Sequence, residues 1–143
     1  MNDIRIRPIH PDGWAPAKGY ANGVLVDAPG RMLFVAGQVA WDKEQQLVGA
    51  GDFVTQFRTA LANVVTVVQA ADGRPQDVVR LTIYVTDKHL YLSSLEPVGE
   101  AYREVMGRHY PAMSLVQVAG LVEEGALVEI EATAVIPIDG DQA

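Results

Sequence analysis

Residues Leu127–Ile136 read LVEIEATAVI. Alternation sustained over this length is the pattern of a β-strand buried on one side. Val128, Ile130, Ala132, Ala134 and Ile136 form one continuous apolar face, and Glu129, Glu131 and Thr133 lie on the other. The apolar face demands a layer of helices, because a sheet face of this kind must be buried against another element.

Upstream, the sequence supplies those helices. Asp52 is placed to cap a helix from Phe53 to about Asp72. Phe53, Phe57, Ala60, Leu61, Val64, Val68 and Ala71 recur at helical spacing, and Gly73 with Pro75 just beyond ends the run. Ser93-Ser94-Leu95-Glu96 has capping-box spacing, and Pro97 is tolerated in a first turn. Leu95, Val98, Tyr102 and Val105 form the expected buried stripe of this second helix. Between the helices, Val78–Thr86 is a strand with Val79, Leu81, Ile83 and Val85 facing one way. Arg80, Thr82, Tyr84 and Thr86 face the other. Met113–Ala119 is another strand, joined to the last by GLVEEGA.

The N-terminal part reads as three strands. IRIRPI (Ile4–Ile9) alternates, and the following PDGWAPAKGYANG is rich in turn formers. Val24–Asp27 and Met32–Val39 read as a hairpin closed by Ala28-Pro29-Gly30. The order is therefore β-β-β-α-β-α-β-β, an α+β domain spanning residues 1–143, with two helices packed on one sheet face. The opposite face is expected to carry Thr82, Tyr84, Met113, Leu115, Gln117, Glu129 and Glu131. That mixture is too apolar for open water and too polar for a dry core, so a subunit interface with a polar pocket is expected there.

Composition narrows the function classes. The 143-residue chain has a net charge of −7, and its 11 basic residues are scattered. Nucleic acid is disfavoured as a partner, since phosphate binding needs concentrated positive charge. The absence of cysteine excludes disulfides, thiolate metal sites and a thiol nucleophile. MNDIRIRPIH has no apolar signal region, and no apolar run reaches the roughly 18 residues of a membrane helix. A soluble, cytoplasmic protein with no membrane partner is expected.

Several familiar sites are missing. His10, His89 and His109 are far apart and show no metal-ligand spacing, so no metal is expected. Gly49-Ala50-Gly51 lacks the spacing of a phosphate loop and reads as a turn. No serine sits in a GxSxG elbow. The carboxylate pair Glu129 and Glu131 is different. On a covered face, a carboxylate can serve as an acid or base.

Three segments, GYANGVLVDAPGRMLFVAGQVAWD, QFRTALANVVTVVQAADGRPQDVVRLTIYVTD and YPAMSLVQVAGLVEEGALVEIEATAVI, together resemble the Rid family. These are the YjgF/RidA-like proteins, with the older labels L-PSP endoribonuclease and translation inhibitor. The resemblance runs from about Tyr20 to Ile136. It implies a chorismate-mutase-like α+β fold, a homotrimer, and three intersubunit clefts holding a small-molecule ligand. It also implies cofactor-free and metal-free hydrolysis of a small enamine or imine. By this resemblance, Tyr20 and Gly37 line the cleft and Glu129 positions or activates water, with Ala36 standing where the family has serine. The family's carboxylate-binding arginine falls on Met113, which cannot pair with an anion. Loss of such a buried contact costs about 2–5 kcal/mol. Leu115 would extend Met113 into an apolar wall, with Arg108 as a candidate substitute cation. Ordinary 2-imino acids are therefore expected to be poor substrates. Two alternatives stand beside the hydrolase: a non-catalytic trimeric binder of a small apolar ligand, and an RNA-cleaving protein, which the acidic charge disfavours.

Overall fold

In the computed structural model, residues 5–27 and 29–138 are described. Ile4 of the expected first strand and Ala28 of the expected turn lie outside them. The elements are β1 (Ile6–Ile9), β2 (Gly23–Val26), β3 (Gly30–Gln38), α1 (Phe53–Ala70), β4 (Val78–Val85), α2 (Lys88–Leu92), α3 (Leu95–Met106), β5 (Ala112–Gln117) and β6 (Val128–Pro137). A 3₁₀ turn, Pro75–Asp77, precedes β4. The α+β class stands, with the short α2 as an addition.

The last strand organises the main sheet, whose order is β3-β6-β4-β5. β6 pairs antiparallel with β3 and with β4, and β5 runs parallel to β4. Val128, Ile130, Ala132, Ala134 and Ile136 are all buried, as their alternation predicts. Against them pack α1 and α3. Phe57, Ala60, Leu61, Val64 and Val68 of α1 are almost fully shielded, as are Ala101 and Met106 of α3. Asp52 caps α1, accepting hydrogen bonds from the Thr55 amide at 3.2 Å and the Thr55 hydroxyl at 2.7 Å. One polar side chain sits inside this layer. Gln56, completely buried, donates to the carbonyls of Gly49 and Gly125 at 3.1 and 3.2 Å and accepts from the Leu127 amide at 2.8 Å. It ties α1 to the loop that precedes it and to the loop that precedes β6.

Four expectations are corrected. β2 does not form a hairpin with β3. It pairs antiparallel with β1 in a separate two-stranded sheet, Ile6 opposite Val26. The Asp27 amide closes that sheet on the Arg5 carbonyl, while β3 is taken by β6 along most of its length. Second, a bulge between Val78 and Arg80 shifts the phase of β4, so Val78 rather than Val79 fills the core. Third, the capping box at Ser93 is not made. Ser93 closes α2, and Ser94 is the N-cap of α3 without a side-chain hydrogen bond. Leu95 is exposed, and Ala101 and Met106 complete the buried stripe.

The fourth correction matters most for function. Met113 is in register with Leu81, and Leu115 with Ile83. Neighbours in register share a sheet face, and Leu81 and Ile83 belong to the core. Met113 and Leu115 therefore lie on the helix side, partly buried against the core cluster. Ser114 and Val116 take the outer face beside Thr82 and Tyr84.

Candidate functional site

The outer sheet face holds one group of candidate residues. Val35 pairs with Ala132 and Gln38 with Ile130, so Ala36 and Gly37 bulge between them. The Glu129 side chain lies directly over Gly37. A β-carbon built there would meet its Oε2 at 2.2 Å and its Cδ at 2.8 Å. Only glycine leaves room for this carboxylate. On β4, Tyr84 is in register with Glu129 and donates a hydrogen bond from its hydroxyl to the Glu131 carboxylate. That bond, with burial and the nearby negative charges, pushes the Tyr84 phenol above its ordinary value. Glu131 is thus held by a neighbour, whereas Glu129 has no hydrogen-bonded partner among the described residues. Met32 and Phe34, 63% and 71% exposed, extend the same face along β3.

The helix side holds the second group. The Ala21 amide donates to the Pro111 carbonyl at 3.0 Å, which brings the turn before β2 against the start of β5. Tyr20 is thereby placed in one cavity of about 540 Å³ with Met113 and Leu115. The floor is apolar, with Phe57, Ile83 and Val98. One wall is aromatic: Tyr102 and Tyr110 stack with ring centres 5.2 Å apart and planes 8° from parallel. Burial raises the Tyr102 phenol well above its usual range, and its hydroxyl is committed to the His109 carbonyl.

Arg108 lines a neighbouring cavity of about 640 Å³ instead, and Tyr20 and Tyr110 contribute to both. The cations that do line the Met113 cavity are Lys18 and Arg103. Neither was singled out from the sequence. The available signal was Gly99, a glycine inside a helix one turn before Arg103, which costs about 1 kcal/mol and calls for a packing reason.

Two of the histidines make structural contacts through their rings. His109 Nε2 lies 2.7 Å from the Val78 carbonyl, so that nitrogen carries the proton. His10 bridges the Trp14 carbonyl and the Asn22 amide. Among the described residues no group of three or more His, Asp or Glu could hold a metal ion. Nor is any described helix long and apolar enough to cross a membrane.

Gly37 and Glu129 are thus brought together, and so are Tyr20, Met113 and Leu115, but the two groups occupy opposite faces of the sheet. Comparison with known proteins gives the context. Residues 12–136 match the family described as Endoribonuclease L-PSP. The protein DfrA of Myxococcus xanthus is 36% identical over 136 residues, covering 94% of this chain and 99% of DfrA. The crystal structure of YyfB, a Rid-family protein of Yersinia pestis, superposes with a TM-score of 0.83 at 34% identity, covering 93% of this chain and all of that one. RidA from an Antarctic Psychrobacter superposes with a TM-score of 0.63 at 30% identity, over 85% of this chain and 92% of its own. The chain belongs to the endoribonuclease L-PSP family, the Rid proteins.

Proposed function

We propose that the protein is a cofactor-free hydrolase of a small enamine or imine, working in a cleft between the subunits of a homotrimer. The observation that carries this reading is the seating of Glu129 over Gly37, a carboxylate with no hydrogen-bonded partner among the described residues, on a face where Met32 and Phe34 are exposed. In the reaction, water adds to the C=N carbon as the Glu129 carboxylate takes its proton. The proton passes to nitrogen to give a carbinolamine. A second proton then moves from the new hydroxyl to the amine through the same carboxylate, the C–N bond breaks as the C=O forms, and ammonia leaves a carbonyl product. The Met113–Leu115 side of the site would bind the substrate body. Because the two groups lie on opposite faces of one chain, a site that uses both needs Gly37 and Glu129 from one protomer and the Tyr20–Met113 cavity from its neighbour. The exposed Met32 and Phe34 fit a face covered by another subunit.

The test is ammonia release from a panel of freshly generated imines, for the parent and for Glu129→Gln. The parent should turn over at least one member, and the variant should lose that turnover. Full activity in Glu129→Gln overturns the assignment. One observation favours the alternative, a non-catalytic binder: no Asp, Glu or His lines the Met113 cavity. Saturable binding across the panel with no ammonia released from any member would decide for it.

A further inference from the structure

Met113 leaves the start of β5 without a cation, yet its cavity is not without positive charge. Arg103 projects from α3, one turn beyond Gly99. A β-carbon on Gly99 would stand 3.2 Å from the Arg103 guanidinium nitrogen, so the glycine gives that group its place against the helix. Gly99 and Arg103 both line the cavity. Lys18, on the turn carrying Tyr20, lines it as well. Both cations are exposed, and neither has an ion-pair partner among the described residues. The rest of the lining is apolar or aromatic. It holds no carboxylate, so nothing inside answers the two charges.

We propose that this cavity binds an amphipathic carboxylate with a bulky apolar or aromatic body, the carboxylate held at the rim by Arg103 and Lys18. The body lies on Met113 and Leu115 beside the stacked Tyr102–Tyr110 pair. The guanidinium offers two parallel N–H donors that match a carboxylate, and Lys18 adds a point charge. A volume of about 540 Å³ lies within the range of small-molecule sites and is ample for an aromatic ring on a short chain. With methionine on β5, the anchoring cations sit on α3 and on the turn carrying Tyr20 instead, which favours larger ligands over short ones. This inference rests on the reading of the Met113 cavity as the ligand-binding side of the site. It gives that ligand a chemical class.

The experiment is calorimetric titration of the full-length protein with three probes: 3-phenylpropionate, 3-phenylpropan-1-ol and propionate. The aromatic carboxylate should bind at least tenfold more tightly than either the neutral alcohol or the short acid. Its affinity should fall as salt is raised, because the anchoring charges are at the surface. Arg103→Met should weaken it about tenfold or more, Arg103→Lys less, and Lys18→Met less than Arg103→Met. Lys43→Met, on the loop after β3, should leave it unchanged. Equal binding of alcohol and carboxylate overturns the proposal, as does a loss in Arg108→Met with none in Arg103→Met. The titrations are repeated in Glu129→Gln. If that variant keeps its turnover while Arg103→Met still loses affinity, the catalytic assignment fails and the anchor stands. Retained affinity in Arg103→Met defeats the anchor whatever Glu129 does.

Discussion

Gly37→Ala separates the seating of Glu129 from the stability of the fold. The added methyl would stand 2.2 Å from Glu129 Oε2, 2.8 Å from Cδ and 3.0 Å from Cγ. Ordinary carbon contacts begin near 3.4 Å, so the carboxylate must retreat by more than about 1 Å. All three atoms belong to the outer end of a flexible side chain, which can rotate away at a cost of about 0.5–1.5 kcal/mol. Gly37 is not in the left-handed region, so alanine fits the backbone and recovers about 0.4–1 kcal/mol through the unfolded state. The two terms nearly cancel. The melting temperature should move by no more than about 3 °C for a chain of this length.

Activity should respond very differently. A displacement of about 1 Å at a proton-transferring group can cost about a hundredfold in rate, near 2.7 kcal/mol of barrier. The assay pairs initial rates of ammonia release with a thermal melt. Gly30→Ala is the control with the opposite split. Its methyl would meet Val135 Cγ1 at 2.4 Å and the Ile136 carbonyl at 3.1 Å. These are packed core and backbone, so about 1–3 kcal/mol of stability should be lost with Glu129 undisturbed. Full activity in Gly37→Ala, or a melt lowered by 10 °C or more, would refute the reasoning.

Three further outcomes follow from the same geometry. Gln56→Leu removes three hydrogen bonds from a fully buried side chain; at about 1 kcal/mol each, it should cost about 3 kcal/mol in urea unfolding, and a loss below about 1 kcal/mol would show that the loops do not depend on it. Met113→Arg places a guanidinium within the 540 Å³ cavity and should raise turnover of 2-iminobutyrate or 2-iminopropionate by thirtyfold or more, the inverse of losing a buried bidentate contact of about 2–5 kcal/mol; no gain would show that Met113 does not occupy the carboxylate-binding position. The Asp52 carboxyl is held below its ordinary value by the Thr55 hydroxyl and amide. Its folded form therefore binds a proton less readily than its unfolded form. The capping contribution should be fully present above about pH 4 and lost as pH falls through the lower folded value. Unfolding measured from pH 6 to pH 2 in the parent and in Asp52→Asn should converge at the acid end, and a constant difference would contradict the sign.

The parts of the fold legible in the sequence are those with one dominant pattern. β6 has a single apolar phase, and α1 a single apolar stripe ended by Asp72-Gly73, so neither admitted a rival. β5 is different. Met113 and Leu115 form one apolar phase and Ala112 and Val116 another, so alternation alone cannot choose the buried side. Register with β4 chooses it, and that is a property of two strands. The partner of β2 was obscured in the same way. A short turn-rich link to β3 resembles a hairpin, but Val26 finds Ile6 twenty positions back, because β3 is held by β6. At the site, Gly37 and Glu129 were marked by family resemblance, but their contact depends on the bulge at Ala36–Gly37. Arg103 looked like any solvated arginine on an amphipathic helix until the fold placed it at a cavity mouth.

The division of the candidate residues between two sheet faces has a consequence for assembly. Side chains on opposite faces of one sheet cannot reach the same small ligand. If Glu129 and the Met113 cavity act on one molecule, they come from different protomers, and turnover must be lost when the assembly is broken. Met32 and Phe34 supply the means, since both are exposed, lie on the Glu129 face and leave the core untouched. Met32→Ser combined with Phe34→Ser should convert a trimer, seen by light scattering at micromolar concentration, into monomers with an intact thermal transition. Ammonia release should fall with the trimer fraction. Binding of 3-phenylpropionate to the Lys18–Arg103 side, which one chain builds alone, should survive. A monomeric parent would remove the shared cleft altogether. A monomeric double variant with full turnover would place the chemistry within one chain, and Glu129 could then not act on a ligand seated against Met113.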